Sequence, residues 1–192
     1  MKTKLSITVG VAILLACMLS MPAIAGEKAA TKTYFAGVWC RDWANNVRTE
    51  LPSGRVVVTD GSAEFHVTVD DPRVMGIFSS YNVKYNLSAL GEGLVHADFM
   101  LSPAYPIEIN DEIVWVANPD IDGVWEGKWK CLYRIEDDGC KYSTVTAEGQ
   151  GMGGELEGLK IRVYVKAPVG TGAFCGLNTF WPFEGYILDP NN

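Results

Sequence analysis

The chain predicts an all-β protein, specifically an antiparallel β-barrel, on three observations. Apolar and polar residues alternate over most of its length, turn-forming pairs fall between the alternating runs, and no 3.6-residue apolar period is sustained beyond residue 25. A two-sheet β-sandwich is the alternative that the same pattern allows. The barrel is preferred because closure removes the open strand edges that a sheet otherwise has to protect.

The first 25 residues read as a secretory signal peptide. Lys2 and Lys4 give a positive start, an apolar run follows from Leu5 to Leu19, Pro22 breaks it, and Ala23-Ile24-Ala25 supplies the small-x-small cleavage pattern. The run is short of a bilayer-spanning helix, and no later stretch is long and apolar enough to be one. The expected location is therefore secreted or periplasmic. The alternative is a lipoprotein anchored through Cys17, because Leu14-Leu15-Ala16-Cys17 resembles a lipobox. Residues 26–33 are small and polar and read as a flexible tether, which leaves 34–190 as one β-domain.

Within that domain the alternation can be followed strand by strand. In 74–87, Met75, Ile77, Tyr81, Val83, Tyr85 and Leu87 share one parity, with Ser80, Asn82, Lys84 and Asn86 on the other. In 124–135, Trp125, Trp129, Cys131, Tyr133 and Ile135 oppose Glu126, Lys128, Lys130 and Arg134. In 160–166, Ile161, Val163 and Val165 oppose Lys160, Arg162 and Lys166. Such patterns mark half-buried antiparallel strands. Turns are expected at Pro52-Ser53-Gly54, Asp60-Gly61, Asp70-Asp71-Pro72, Asn118-Pro119-Asp120 and Asp137-Asp138-Gly139. About nine or ten strands result, at sandwich or barrel spacing. Two stretches, 102–111 with Pro103 and Pro106 and 167–182 with Pro168 and Pro182, read as irregular loops able to cap a barrel mouth.

The formal net charge is −7, and cleavage would remove Lys2 and Lys4. That balance argues against nucleic acid and against anionic membrane surfaces as partners. Four of the five cysteines follow the signal segment: Cys40, Cys131, Cys140 and Cys175. An even number in an oxidising compartment predicts that all four are paired, and no two lie close enough in sequence for a zinc motif. A tight hairpin at 137–139 sets Cys131 opposite a residue near Thr144, so links from Cys131 and Cys140 to Cys40 and Cys175 are preferred over a Cys131–Cys140 bond.

Gly149-Gln150-Gly151-Met152-Gly153-Gly154 fits the G-x-G-x-x-G formula, but the next strand follows at once and leaves no room for a crossover helix. These glycines read as a twisted bend, and no cofactor or metal is expected. The two histidines, His66 and His96, sit two positions from Glu64 and Asp98. Flanking parity puts both pairs on a polar strand face, and His96 with Asp98 is the weak acid–base candidate. There are six tryptophans. Trp115, Trp125 and Trp129 join Tyr81, Tyr85 and Tyr133 as candidates to line an apolar cavity.

The segments Trp125-Glu126-Gly127-Lys128-Trp129, Gly149 to Lys160, and Glu184-Gly185-Tyr186-Ile187-Leu188-Asp189-Pro190 resemble a group of uncharacterised secreted bacterial proteins. Their glycine-rich hairpin and closing strand are similar to the barrels of allene oxide cyclases and dirigent proteins, relatives in shape of the lipocalins. The resemblance covers about residues 124–190 and implies a calycin-like barrel; it carries over no catalytic residue. The expected function is an exported barrel that holds a small apolar molecule in its interior. One alternative is an envelope or extracellular interaction protein with a packed core. The other is a cyclase- or isomerase-like enzyme working in the same cavity, for which no catalytic motif is assembled.

Overall fold

The computed structural model describes residues 30–168 and 180–190. The expected signal peptide, Cys17 and Cys175 lie outside the described residues. Nine strands are present: β1 Thr31–Glu50, β2 Val56–Val69, β3 Gly76–Leu87, β4 Gly93–Ile109, β5 Glu112–Ala117, β6 Val124–Ile135, β7 Lys141–Met152, β8 Lys160–Pro168 and β9 Phe180–Asp189. β1 begins at Thr31, inside the stretch expected to be tether.

Eight of the strands close a barrel. The order is β3-β2-β1-β9-β8-β7-β6-β4, every pair is antiparallel, and β3 pairs with β4 to complete the ring. The barrel is thus the architecture adopted, not the sandwich. The ninth strand, β5, pairs only with β4. β4 leaves the barrel after Pro103, and Ala104–Ile109 form a two-stranded arm with β5.

That arm corrects the expectation of an irregular loop at 102–111. The amide of Asn118 donates to the Pro103 carbonyl, so hydrogen-bonded pairs recur at every second position towards the tip. Pro106, opposite Trp115, falls between them, where its missing N–H is not needed. Asn110 and Asp111 both take positive φ (52° and 65°), as a two-residue I′ turn requires.

Asp60-Gly61 is likewise not a hairpin. It is a bulge inside β2, with Asp60 at φ 55° and a register shift against β3. A second bulge, at Asn82 (φ 54°), shifts β3 against β4. The extra residue flips the parity of β3. Phe78 and Ser80 therefore point inward before it and Val83 after it, while Ile77 and Tyr81 face out.

The end of the barrel near the C-terminus of β9 is closed by side chains. Val74, from the β2–β3 connection, is 1% exposed, and Leu156, from a single 3-10 turn at Gly154–Leu156, is fully buried. Trp125 Nε1 donates to the Arg73 carbonyl at 2.7 Å and pins the first of these segments. The glycine-rich stretch occupies the β7–β8 hairpin, with no crossover helix. Gly149 is there because the Phe99 ring lies against its backbone: an added Cβ would sit 2.8 Å from that ring.

Candidate functional site: the aromatic interior

Inward-facing residues of β1, β2, β3 and β9 bring together Trp39, Phe65, Phe78, Trp181 and Phe183. Trp39 is the hub, with ring centroids 5.4 Å from Phe65, 5.8 Å from Phe78 and 5.9 Å from Trp181. Phe78 in turn stacks on Phe99 at 4.7 Å. Contacts of this kind add stability beyond area burial. A void of about 20 Å³ runs beside Trp39, lined also by Val74, Phe99 and Phe183. That is room for roughly one water, and the lining is apolar.

The indole nitrogens divide into two classes. Trp125 Nε1 has the Arg73 carbonyl, and Trp129 Nε1 donates to Ser80 Oγ at 2.8 Å. Trp39 Nε1 and Trp181 Nε1 are sealed from solvent and have no hydrogen-bond partner. Leaving a buried donor unmade costs about 1–3 kcal/mol. These two indoles are directly opposed in the β1–β9 register, at the end where β8 stops and β9 begins.

Of the cavity candidates named from sequence, Trp125, Trp129, Tyr85 and Tyr133 belong to the interior core or pack against it. Two do not. Tyr81 is 41% exposed on the outer face, because the bulge at Asn82 changes its parity. Trp115 rides on the β4–β5 arm and stacks on His66 outside the barrel, centroids 4.9 Å apart. Sequence reading missed Trp39, Phe65, Phe78, Phe99, Phe183 and Trp181 as liners. The alternation around Phe65 and Val67 was the available signal.

His96 is on the outer face, between Lys84 and Lys130 on the neighbouring strands. Asp98 accepts a hydrogen bond from Asn82 Nδ2 at 2.8 Å and so braces the bulge. Neither faces the interior, so they do not serve a reaction there. The buried polar side chains Ser80 and Ser143 are engaged, Ser80 by Trp129 and Ser143 by donation to the Ala167 carbonyl. Among the described residues no group of His, Cys, Asp and Glu is arranged to hold a metal, and no helix is long and apolar enough to cross a membrane.

The cysteines correct the expectation that all four are paired. Cys140 is disulfide-bonded. Cys131 instead carries a free thiol, 2% exposed and directed into the core. Its ladder partners are Val95 and Val145. Cys40 is on β1, four strands away around the ring in either direction and facing outward beside His66. A disulfide needs Cα atoms within about 7 Å, and that separation rules out a Cys40–Cys131 link. Burial pushes the Cys131 thiol up to about 12, against smaller opposing effects of a bond with Tyr133 and the charge of Lys141.

Comparison of the chain with protein-family models, with curated proteins and with solved structures finds no match in any of the three.

Proposed function

We propose that this is an exported barrel that takes up one small, mainly apolar molecule carrying a hydrogen-bond acceptor, seated against Trp39 and Trp181. The observation that carries this reading is the pair of buried, unpartnered indole N–H groups inside an aromatic cluster. An oxygen that accepts from either indole would recover the cost of an unmade hydrogen bond, while the surrounding rings take the apolar body. A carbonyl or ether fits; a pure hydrocarbon does not. The present void holds about one water, so a ligand enters only if interior side chains move aside, and the half-buried Trp181 is the member of the indole pair nearer solvent. The barrel resemblance noted in the sequence supports the same kind of site.

Matched pairs test this: an isoprenoid ketone against its parent hydrocarbon, and a fatty-acid ester against an alkane. The oxygenated member is expected to shift tryptophan emission and raise the melting temperature by mass action, with the effect lost in Trp181→Phe. Indifference to both members of each pair, with nothing co-purifying from the native source, would overturn the reading. The interaction-protein reading would then stand, favoured by how completely side chains fill the barrel.

A further inference from the structure

β5 is the one described strand that pairs along a single side over its whole length, which leaves its outer edge uncovered by any other strand. Counting from the Asn118–Pro103 bond, Glu112, Val114 and Val116 direct their backbone groups to β4, and Ile113, Trp115 and Ala117 direct theirs away. Three unpaired backbone positions therefore face outward along one line. The register also sorts the side chains. Trp115 turns towards the barrel and His66, while Tyr105, Ile107, Ile109, Val114 and Val116 share the opposite face. Ile109 is 46% exposed, and Ile113, at the tip, 65%.

Charge distinguishes the possible occupants. Residues 101–123 hold Glu108, Asp111, Glu112, Asp120 and Asp122, with no Lys or Arg. A second copy pairing edge to edge would bring these carboxylates together, on a chain already at −7. A basic strand would meet them with opposite charge.

We infer that the open edge of β5 is a docking site for an extended segment of a partner protein in which aliphatic and Lys/Arg residues alternate. The segment adds a strand to the arm. Its backbone bonds to Ile113, Trp115 and Ala117, its aliphatic side chains extend the apolar face, and its cations lie on the other face, the one that carries Glu108, within the field of the arm's carboxylates. This site is on the outside of the molecule and is independent of any ligand in the interior.

The test uses the full mature protein and three fluorescent peptides: an alternating Lys-Val heptapeptide, its Glu-Val counterpart, and the Lys-Val peptide with a central proline. The Lys-Val peptide is expected to bind about tenfold or more tighter than either control, with affinity falling as salt rises. Ile113→Pro removes an outward N–H without touching the β4 ladder, because proline is tolerated on edge strands there. It should weaken the Lys-Val peptide about tenfold while leaving the melting temperature unchanged; Glu108→Lys with Glu112→Lys should do the same by charge. Equal binding of the three peptides, or none, overturns the proposal. So does a dimer in sedimentation that Ile113→Pro dissolves, which would make a second copy the occupant.

Discussion

The thiol of Cys131 is held protonated by the aliphatic interior around it, with Val95 and Val145 on either side. Raising a thiol from its ordinary 9.0 to about 12 ties stability to alkaline pH. Below 9 both folded and unfolded chains keep the proton and nothing is lost. Between 9 and 12 the unfolded chain releases it first, so stability falls with pH by up to ~1.4 kcal/mol per unit. Cys131→Ala should flatten this alkaline loss relative to the parent when urea midpoints are compared at pH 8 and 10. Alkylation of the denatured, unreduced parent should label Cys131; an unlabelled Cys131 would return it to a disulfide. Asp71 shows the opposite sign. Burial alone would raise its carboxyl, but side-chain and backbone hydrogen bonds from Arg73 outweigh that and hold it below the usual range. Its contribution is full above the ordinary value of 3.8 and is lost as pH falls through the lower folded one. Asp71→Asn should therefore be less acid-sensitive than the parent below about pH 4, and an unchanged acid limb would show that the Arg73 contact adds nothing.

At the scale of elements, the inward faces of β6 and β8 were legible because simple alternation runs unbroken from Trp125 to Tyr133 and from Ile161 to Val165. The face of β3 was not, since a bulge at Asn82 reverses parity and a one-residue slip exchanges the two sides of a strand. The arm was hidden by Pro103 and Pro106, which read as loop residues until the hydrogen-bond phase of β5 is known. Barrel closure through β1–β9 is a long-range pairing that no local pattern encodes. The paired tryptophans of the candidate site were invisible for the same reason, lying 142 positions apart on strands that only closure makes neighbours. The glycines of β7 were half legible: a clash was expected, but not its partner. An added Cβ at Gly149 would meet the Phe99 ring at 2.8 Å and the Glu126 carbonyl at 2.9 Å. Gly149→Ala should cost about 1–3 kcal/mol, as overpacking does. Adding Phe99→Leu should then cost less than the sum of the two single changes, because the ring is part of the obstacle. Full additivity in urea unfolding would mean that the backbone contact alone sets the penalty.

For the whole molecule, closure divides the chain into strands with two neighbours and segments with one. All eight barrel strands are paired on both sides over at least part of their length, and the core that joins them is continuous from Phe35 to Ile187. Amides there can exchange only when the barrel opens as a unit, so their protection should approach the global unfolding free energy. The β4–β5 arm is attached along one side, and its face bearing Ile107 and Val114 is open to solvent apart from the strand pair itself. It adds little to the core cluster, none of whose residues belongs to β5. Deuterium uptake should therefore separate the two. Peptides covering 112–117 are expected to exchange about tenfold or more faster than those covering 143–147 or 161–167, through local opening that leaves the melting transition single. Addition of the alternating Lys-Val peptide should slow the arm and leave the barrel unchanged, whereas an interior ligand should slow the barrel and leave the arm unchanged. Protection of 112–117 equal to that of the barrel strands, in the free protein, would mean that the arm is already part of the cooperative unit and that its edge is not available to a partner.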